Sequence, residues 1–345
     1  IILALSTFIL SMSGTFLVRS GILNSVHTFA NDPERGLFVL IFLSVLILIS
    51  LIIYFRFNNF ENITKSFFLS KETAIVINNW FMMYFLAVVL IGTIYPIFLE
   101  AIAAEKISVG PPYFNQLIIP LLIPFLFIMS IGTKLDWIKN KEINVRYKKI
   151  VLLILSVLIS YLIAKHLNTK ILYSTVLISA ALYLLFISIL DLKNDKLKWS
   201  QKTSHLAFSI LIISIILNSI FSEEQSVNLK AGEEKKLSKY TIRFEKISKS
   251  QIENYTSLKA EIWVSQNNNE LIFYPELRLY KVPETITSEA DIKTNLFNDN
   301  LVVVNYLKDT DYLNIRYQKK PFMLLIWISA LMLAVGGILG LRKKY

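Results

Sequence analysis

Three histidines, His27, His166 and His205, are the only imidazoles in this sequence, and it holds no cysteine. Without a thiol the chain has no disulfide, no thiolate metal site, no nucleophilic sulfur and no thioether bond of its own to a haem. Any metal it binds must rely on His, Asp, Glu or Met. His27 lies in SGTFLVRSGILNSVHTFANDPERG, between two apolar runs, with Arg19 before it and Arg35 after it. Asp32-Pro33, followed by Glu34, Arg35 and Gly36, is turn chemistry, so the imidazole is held on a short tether beside the next apolar run. Two readings stand for it: an axial ligand to a metal or haem with arginines near for carboxylates, or a solvated loop histidine. Arg19 divides between a headgroup-level residue that meets lipid phosphate and a planar clamp on a haem propionate, a contact open to Arg35 as well.

His205 opens the run TSHLAFSILIISIIL, just after a basic loop. An imidazole within a membrane span costs free energy unless it is paired or bound, which makes a functional role the default hypothesis. At the interface that cost falls, and a satisfied, snorkelling side chain is an equal reading. As a ligand, neutral imidazole suits a haem iron buried among helices, where low polarity also tunes the potential. His166, in IAKHLNTK, falls in a short turn at the end of a span and reads as an interfacial residue.

The elements that must position these side chains are membrane helices. The chain is 54% hydrophobic, and its apolar residues gather in long uninterrupted runs, the composition of a polytopic helical membrane protein and not of a soluble fold. Runs near 37–55, 77–99, 115–133, 150–165, 171–190, 204–221 and 321–341 are long enough to cross a bilayer. The opening IILALSTFIL has no basic start or cleavage site and reads as the tail of a span that begins upstream. Loops 56–73, 134–149 and 191–203 and the tail after 341 carry 3, 6, 4 and 3 Lys/Arg; loops 12–36, 100–114 and 166–170 carry 2, 1 and 1. That alternation puts the first set inside and the second outside. It also accounts for the net charge of +11, so nucleic acid is not a partner, whereas membrane lipid is.

Residues 222–320 differ: TIRFEKI, LKAEIWV, ELIFYPELRLY and LVVVNYL alternate with period two between Asn-, Lys- and Ser-rich turns, the pattern of half-buried strands. The predicted fold is therefore an all-α polytopic membrane protein of about seven complete transmembrane helices and one truncated helix, with an inserted small β-rich extracytoplasmic domain. Its parts are a helical bundle over 1–221 with an outer loop at 12–36, the β-rich domain over 222–320, and a last helix with a basic tail over 321–345. No Asp, Glu, Lys or Arg falls in the middle of a span, which disfavours an ion-coupled carrier. Pro96, Pro120 and Pro124 are expected to kink their spans.

Taken in order, SGTFLVRSGILNSVHTFANDPERG, INNW with GTIYPIFLEAI, ISVGPPYFN, SHLAFSILIISI, YPELRLY and PFMLLIWISALMLAVGGILG resemble the C-terminal half of the CcmF family. These are the cytochrome c haem lyases of the system I maturation pathway, within the haem-handling protein superfamily. The resemblance implies ligation of haem vinyl groups to the two CXXCH thiols of apocytochrome c, with haem delivered by the chaperone CcmE and apocytochrome by the CcmH/CcmI arm. It implies that His27 is one of two outer histidines ligating the incoming haem. It implies equally that His205 is one of two intramembrane histidines holding a permanent haem b that helps reduce it. His166 matches no family ligand. The implied location is the bacterial inner membrane, multi-pass, with the β-rich domain in the periplasm; the mitochondrial inner membrane is the alternative. The five tryptophans, at 80, 137, 199, 263 and 327, are scattered, whereas the family has a clustered WWD segment. That segment and the partner histidines are expected upstream, either on the same longer chain or on the other product of a split gene. The competing readings are a polytopic transporter or permease and a non-catalytic membrane scaffold.

Overall fold

A computed structural model describes residues 2–19, 33–57, 68–103, 107, 109–132, 134–137, 147–166, 171–237, 239–266, 269–281, 284–307 and 311–341. The chain forms two compact units, Ile1–Asn144 and Val145–Tyr345. Seven helices among the described residues are long and apolar enough to cross a membrane, and a shorter apolar stretch, Leu5–Phe16, precedes them. Together with a β-rich region this is the predicted fold class.

In the first unit α1 (Ile2–Arg19) packs on α2 (Pro33–Phe57) and α3 (Lys71–Ala103) on α4 (Pro111–Gly132). Helix α1 continues past residue 11, where a loop was predicted. Its hydroxyls find partners one turn back: Ser13 Oγ donates to the Ile9 carbonyl at 2.8 Å and Thr15 Oγ1 to that of Ser11 at 3.4 Å. Pro33, expected in a turn, is the first residue of α2, a position that needs no N–H and suits a fixed φ. Between α3 and α4, Gly92 admits two rings: a Cβ there would lie 2.7 Å from Tyr113 and 3.0 Å from Phe114.

The second unit holds α5 (Tyr147–His166), α6 (Ile171–Asp191), α7 (Trp199–Phe221) and α8 (Met323–Leu341). Helix α5 meets α6 with Ser156, Ser160 and Ala164, all fully buried at four-residue spacing. Small residues are what lipid-embedded helices need, because their association rests on close van der Waals contact. Helix α7 meets α8 on the same principle. Gly336 lies against Ser204 so closely that a Cβ would collide with the Ser204 hydroxyl and come within 3.0 Å of its backbone nitrogen, and Gly340 faces Ser200 one turn on.

Between α7 and α8 the described residues build a sandwich from ten strands: β1 (Glu223–Leu229), β2 (Glu234–Lys236), β3 (Thr241–Gln251), β4 (Tyr255–Gln266), β5 (Asn269–Phe273), β6 (Glu276–Lys281), β7 (Glu284–Glu289), β8 (Asp291–Thr294), β9 (Asn298–Tyr306) and β10 (Leu313–Pro321). One sheet has the order β1-β10-β9-β8; the other runs β2-β3-β4-β6-β7, with β5 also paired to β4. Alternation places Ile242, Phe244, Ile262 and Val264 of one sheet with Val302, Val304, Ile315 and Tyr317 of the other in a shared core. ELIFYPELRLY, read as one strand, is two. Pro275 has no N–H for a ladder; its carbonyl instead accepts from Ala260 N–H at 3.0 Å, and β5 and β6 pair with successive parts of β4.

A polar cluster ties the two sheets together beside the start of β1. Glu223 accepts from Tyr240 Oη and from Lys239 Nζ, both at 2.6 Å; the Tyr240 ring lies 4.9 Å from that of Tyr317, whose hydroxyl donates to Asn300 at 2.9 Å. Burial pushes the Glu223 carboxyl up, but the hydrogen bonds from Lys239 and Tyr240 outweigh it and hold the group below its ordinary value. Burial raises the Tyr240 phenol, as does its bond to Glu223, and burial pushes Tyr317 up to about 12.

Two predictions follow from this packing. Gly336→Leu overpacks the α7–α8 contact and lowers stability by about 1–3 kcal/mol. Gly337→Leu, with nothing within 4 Å of its Cβ, changes the thermal midpoint in detergent little. A carboxyl held low when folded gives stability that is complete above its unfolded pKa and lost as pH falls through the folded one. Hydrogen-exchange protection of β1 therefore declines below pH 4.5 in the parent, while Glu223→Gln flattens that decline and lowers protection at neutral pH by about 1–3 kcal/mol.

Candidate functional site

His205 stands in α7, near the end that follows the basic loop, and is half-buried. Its neighbours at helical spacing define where it points. Lys202, Ser209, Ile213 and Ile216 are buried on one stripe of α7, Ser200, Ser204 and Ala207 lie on another, and Ile215 is exposed to 45%. His205 falls at the edge of the first stripe, beside the exposed face, so its side chain is half-buried.

Three contacts fix its backbone. Ser188 of α6 donates its hydroxyl to the His205 carbonyl at 3.4 Å. On the preceding residue, Ser204 is held against Gly336 of α8. One turn earlier, Lys202 is only 5% exposed; its ammonium donates to the Leu192 carbonyl at 3.0 Å, just past the end of α6, and lies 4.7 Å over the Trp199 ring. A cation on the free carbonyls of a helix C-terminus is favourable both as a hydrogen bond and against the macrodipole. This bond also explains why α7 begins at Trp199 and not at residue 204, where the apolar run starts. Lys202 buries its stem and places its charge on a neighbouring helix end, so a lysine can be part of the packed helix.

The sequence pointed to His205 through the cost of an imidazole in a span; it did not point to Ser188, Lys202 or Gly336. Their partners are distant along the chain, and the only local sign was a recurrence of small residues at four-residue spacing. His166 is the last residue of α5 and is exposed, in keeping with an interfacial place. Arg19 ends α1 and Arg35 lies in the first turn of α2. Beyond those backbone positions their side chains, and His27 altogether, lie outside the described residues.

Among the described residues no three His, Cys, Asp or Glu side chains gather as they would for a bare metal ion. A half-buried imidazole in an apolar helix has the chemistry to ligate the iron of a haem, which would bring its other nitrogens with it. The residues present therefore fit a haem, which His205 would help to hold.

Comparison with known proteins gives the same direction. Residues 220–321 match the family model for the CcmF C-terminal beta-sandwich. The whole chain is 32% identical to the cytochrome c-type biogenesis protein CcmF of Pseudomonas aeruginosa, of which it spans 55%. Over 99% of its length it is 29% identical to CcmF of Escherichia coli, spanning 54% of that protein. A solved structure of the cytochrome c heme lyase CcmF shares its fold over 92% of this chain and 52% of the other, with a TM-score of 0.66 at 17% identity. The chain thus spans about half the length of the curated relatives it matches, and the sandwich lies in the part so covered. Sequence along the whole chain, the matched sandwich and the fold agree: the chain is similar throughout to the part of the CcmF cytochrome c biogenesis proteins that includes their C-terminal beta-sandwich.

Proposed function

We propose that this chain is the C-terminal part of a membrane haem lyase that joins haem vinyl groups to the CXXCH thiols of apocytochrome c on the outer face of the bacterial inner membrane. The observation that carries this reading is likeness over the full chain to cytochrome c biogenesis proteins, together with an imidazole set into an apolar helix of the kind a haem iron needs.

In the proposed reaction each thiol adds across a vinyl group. The sulfur bonds to the carbon next to the porphyrin ring, the hydrogen goes to the terminal carbon, and the S–H bond and the vinyl π bond are lost with no net oxidation or reduction. The thiols belong to the apocytochrome, so an absence of cysteine in this chain is no obstacle. What remains for the protein is positioning, which removes the entropy of bringing two large substrates together. His27 holds the substrate haem by its iron from the outer loop, and Arg19 and Arg35 meet its propionates. His205 is one axial ligand to a resident haem b. When bound, that haem supplies one-electron chemistry that keeps the substrate iron ferrous. The haem chaperone CcmE delivers the substrate, the CcmH/CcmI arm presents apocytochrome, and the sandwich lies in the periplasm; in a mitochondrial setting the same face is the intermembrane space.

In the full-length protein, His205→Ala is expected to lose the Soret and α bands of a bis-histidine haem b, read by absorbance of the purified protein. Purified protein free of haem but with full cytochrome maturation activity would overturn the proposal. His27→Ala is expected to abolish maturation, read by covalent haem staining of a reporter cytochrome c, while keeping the resident haem spectrum, because the two imidazoles serve different haems. Loss of both signals together would show that one site serves both.

A further inference from the structure

The turn between β8 and β9 has the wrong composition for a solvent-facing hairpin. Its residues are Asn295, Leu296, Phe297 and Asn298, and the two in the middle are exposed to 75% and 78%. Hairpin tips ordinarily carry Gly, Asn, Asp or Ser, because these side chains satisfy the turn and prefer water. Here the flanking asparagines satisfy the turn alone. Asn295 Oδ1 accepts from the backbone N–H groups of Phe297 and Asn298, both at 2.9 Å, its side-chain amide donates to Asn298 Oδ1 at 3.2 Å, and its own N–H donates to the Asn298 carbonyl at 3.0 Å. With these groups paired internally, the tip offers two apolar side chains on a turn whose N–H groups at 295, 297 and 298 already have acceptors, which suits a low-polarity surrounding.

Its position says what that surrounding is. The Phe322 N–H donates to the Phe297 carbonyl at 2.9 Å, and Phe322 immediately precedes α8, a helix long and apolar enough to span a membrane. Phe322 holds φ at 63°, a strained value for a side chain other than glycine, and its ring lies 6.4 Å from that of Phe221, the last residue of α7. The tip therefore stands level with the ends of two spanning helices.

We propose that Leu296 and Phe297 insert into the outer leaflet of the phospholipid bilayer, at the boundary between headgroups and acyl chains. They form a third point of attachment for the sandwich, beside α7 and α8. Two attachments leave the sandwich free to rock about the line that joins them; a third, at the β8 edge of the sheet, fixes its inclination to the membrane plane.

The chain has no cysteine, so a single label can be placed cleanly. Leu296→Cys is labelled with an environment-sensitive fluorophore and the full chain reconstituted in vesicles of phosphatidylethanolamine and phosphatidylglycerol. Asp311→Cys serves as the reference; its carboxylate is 89% exposed, beyond the Leu229–Leu313 pair at the end of the sheet farthest from the helices. The expected result is blue-shifted emission at 296, and quenching by lipids spin-labelled high on the acyl chain several-fold stronger than at 311. Emission and quenching equal to those at 311 would overturn the proposal. Blue-shifted emission without lipid quenching would also overturn it, because the tip would then be covered by protein.

Discussion

The structure of the second unit depends on one constraint, the close antiparallel contact of α7 with α8. The chain leaves the helices at Ser222 and returns at Phe322, and the two strands adjoining those residues, β1 and β10, are themselves hydrogen-bonded neighbours. A pair of helices thus continues directly into a pair of strands. The Asn218 amide, in the last turn of α7, donates to the Pro321 carbonyl at 2.5 Å and locks the junction. Any slip of α8 along α7 would pull β10 out of register with β1, and a slip of one residue would turn Ile315 and Tyr317 out of the core. Bulky side chains at 336 and 340 would prevent the contact, and no hydrophobic driving force between helices in lipid would make up for it. Glycine is therefore required at 336 by contact with a neighbour, and not by backbone conformation.

What was legible in the sequence follows from the range over which each feature is determined. Apolar runs and loop charges report the solvent around a segment, residue by residue, so the spans and the β-rich insertion could be read directly. The ends of elements depend on single side chains choosing between backbone partners: Ser13 and Thr15 keep α1 helical, Pro33 starts α2, Pro275 divides a strand, and Lys202 extends α7 by reaching α6. These choices were misread or invisible because a residue type permits more than one of them. The Glu223, Tyr240 and Tyr317 cluster joins residues from β1, the position just before β3, and β10, and only the folded sandwich brings them together.

The candidate site divides in the same way. His205 stood out because an imidazole in an apolar run has a cost that must be met. Its enclosure by α6 and α8 did not, because Ser188 and Gly336 look like ordinary small residues in their own helices. The same small residues that let the helices approach also fix the turn of α7 that carries the histidine. Packing and site are therefore not separable here: a change that spreads α7 from α8 also moves Ser204, and with it the next residue.

The helix that carries His205 also limits what it can do. Sixteen residues separate it from Phe221 at the end of α7 that leads into the sandwich, which at 1.5 Å per residue is about 24 Å. An imidazole at that depth cannot hold a haem whose vinyl groups are meeting the thiols of a protein outside the membrane. The proposed bond formation therefore needs a second ligand nearer that end. In the proposed function that ligand is His27. That distance supports the proposed separation of two haem positions, one within the membrane and one outside it for attachment.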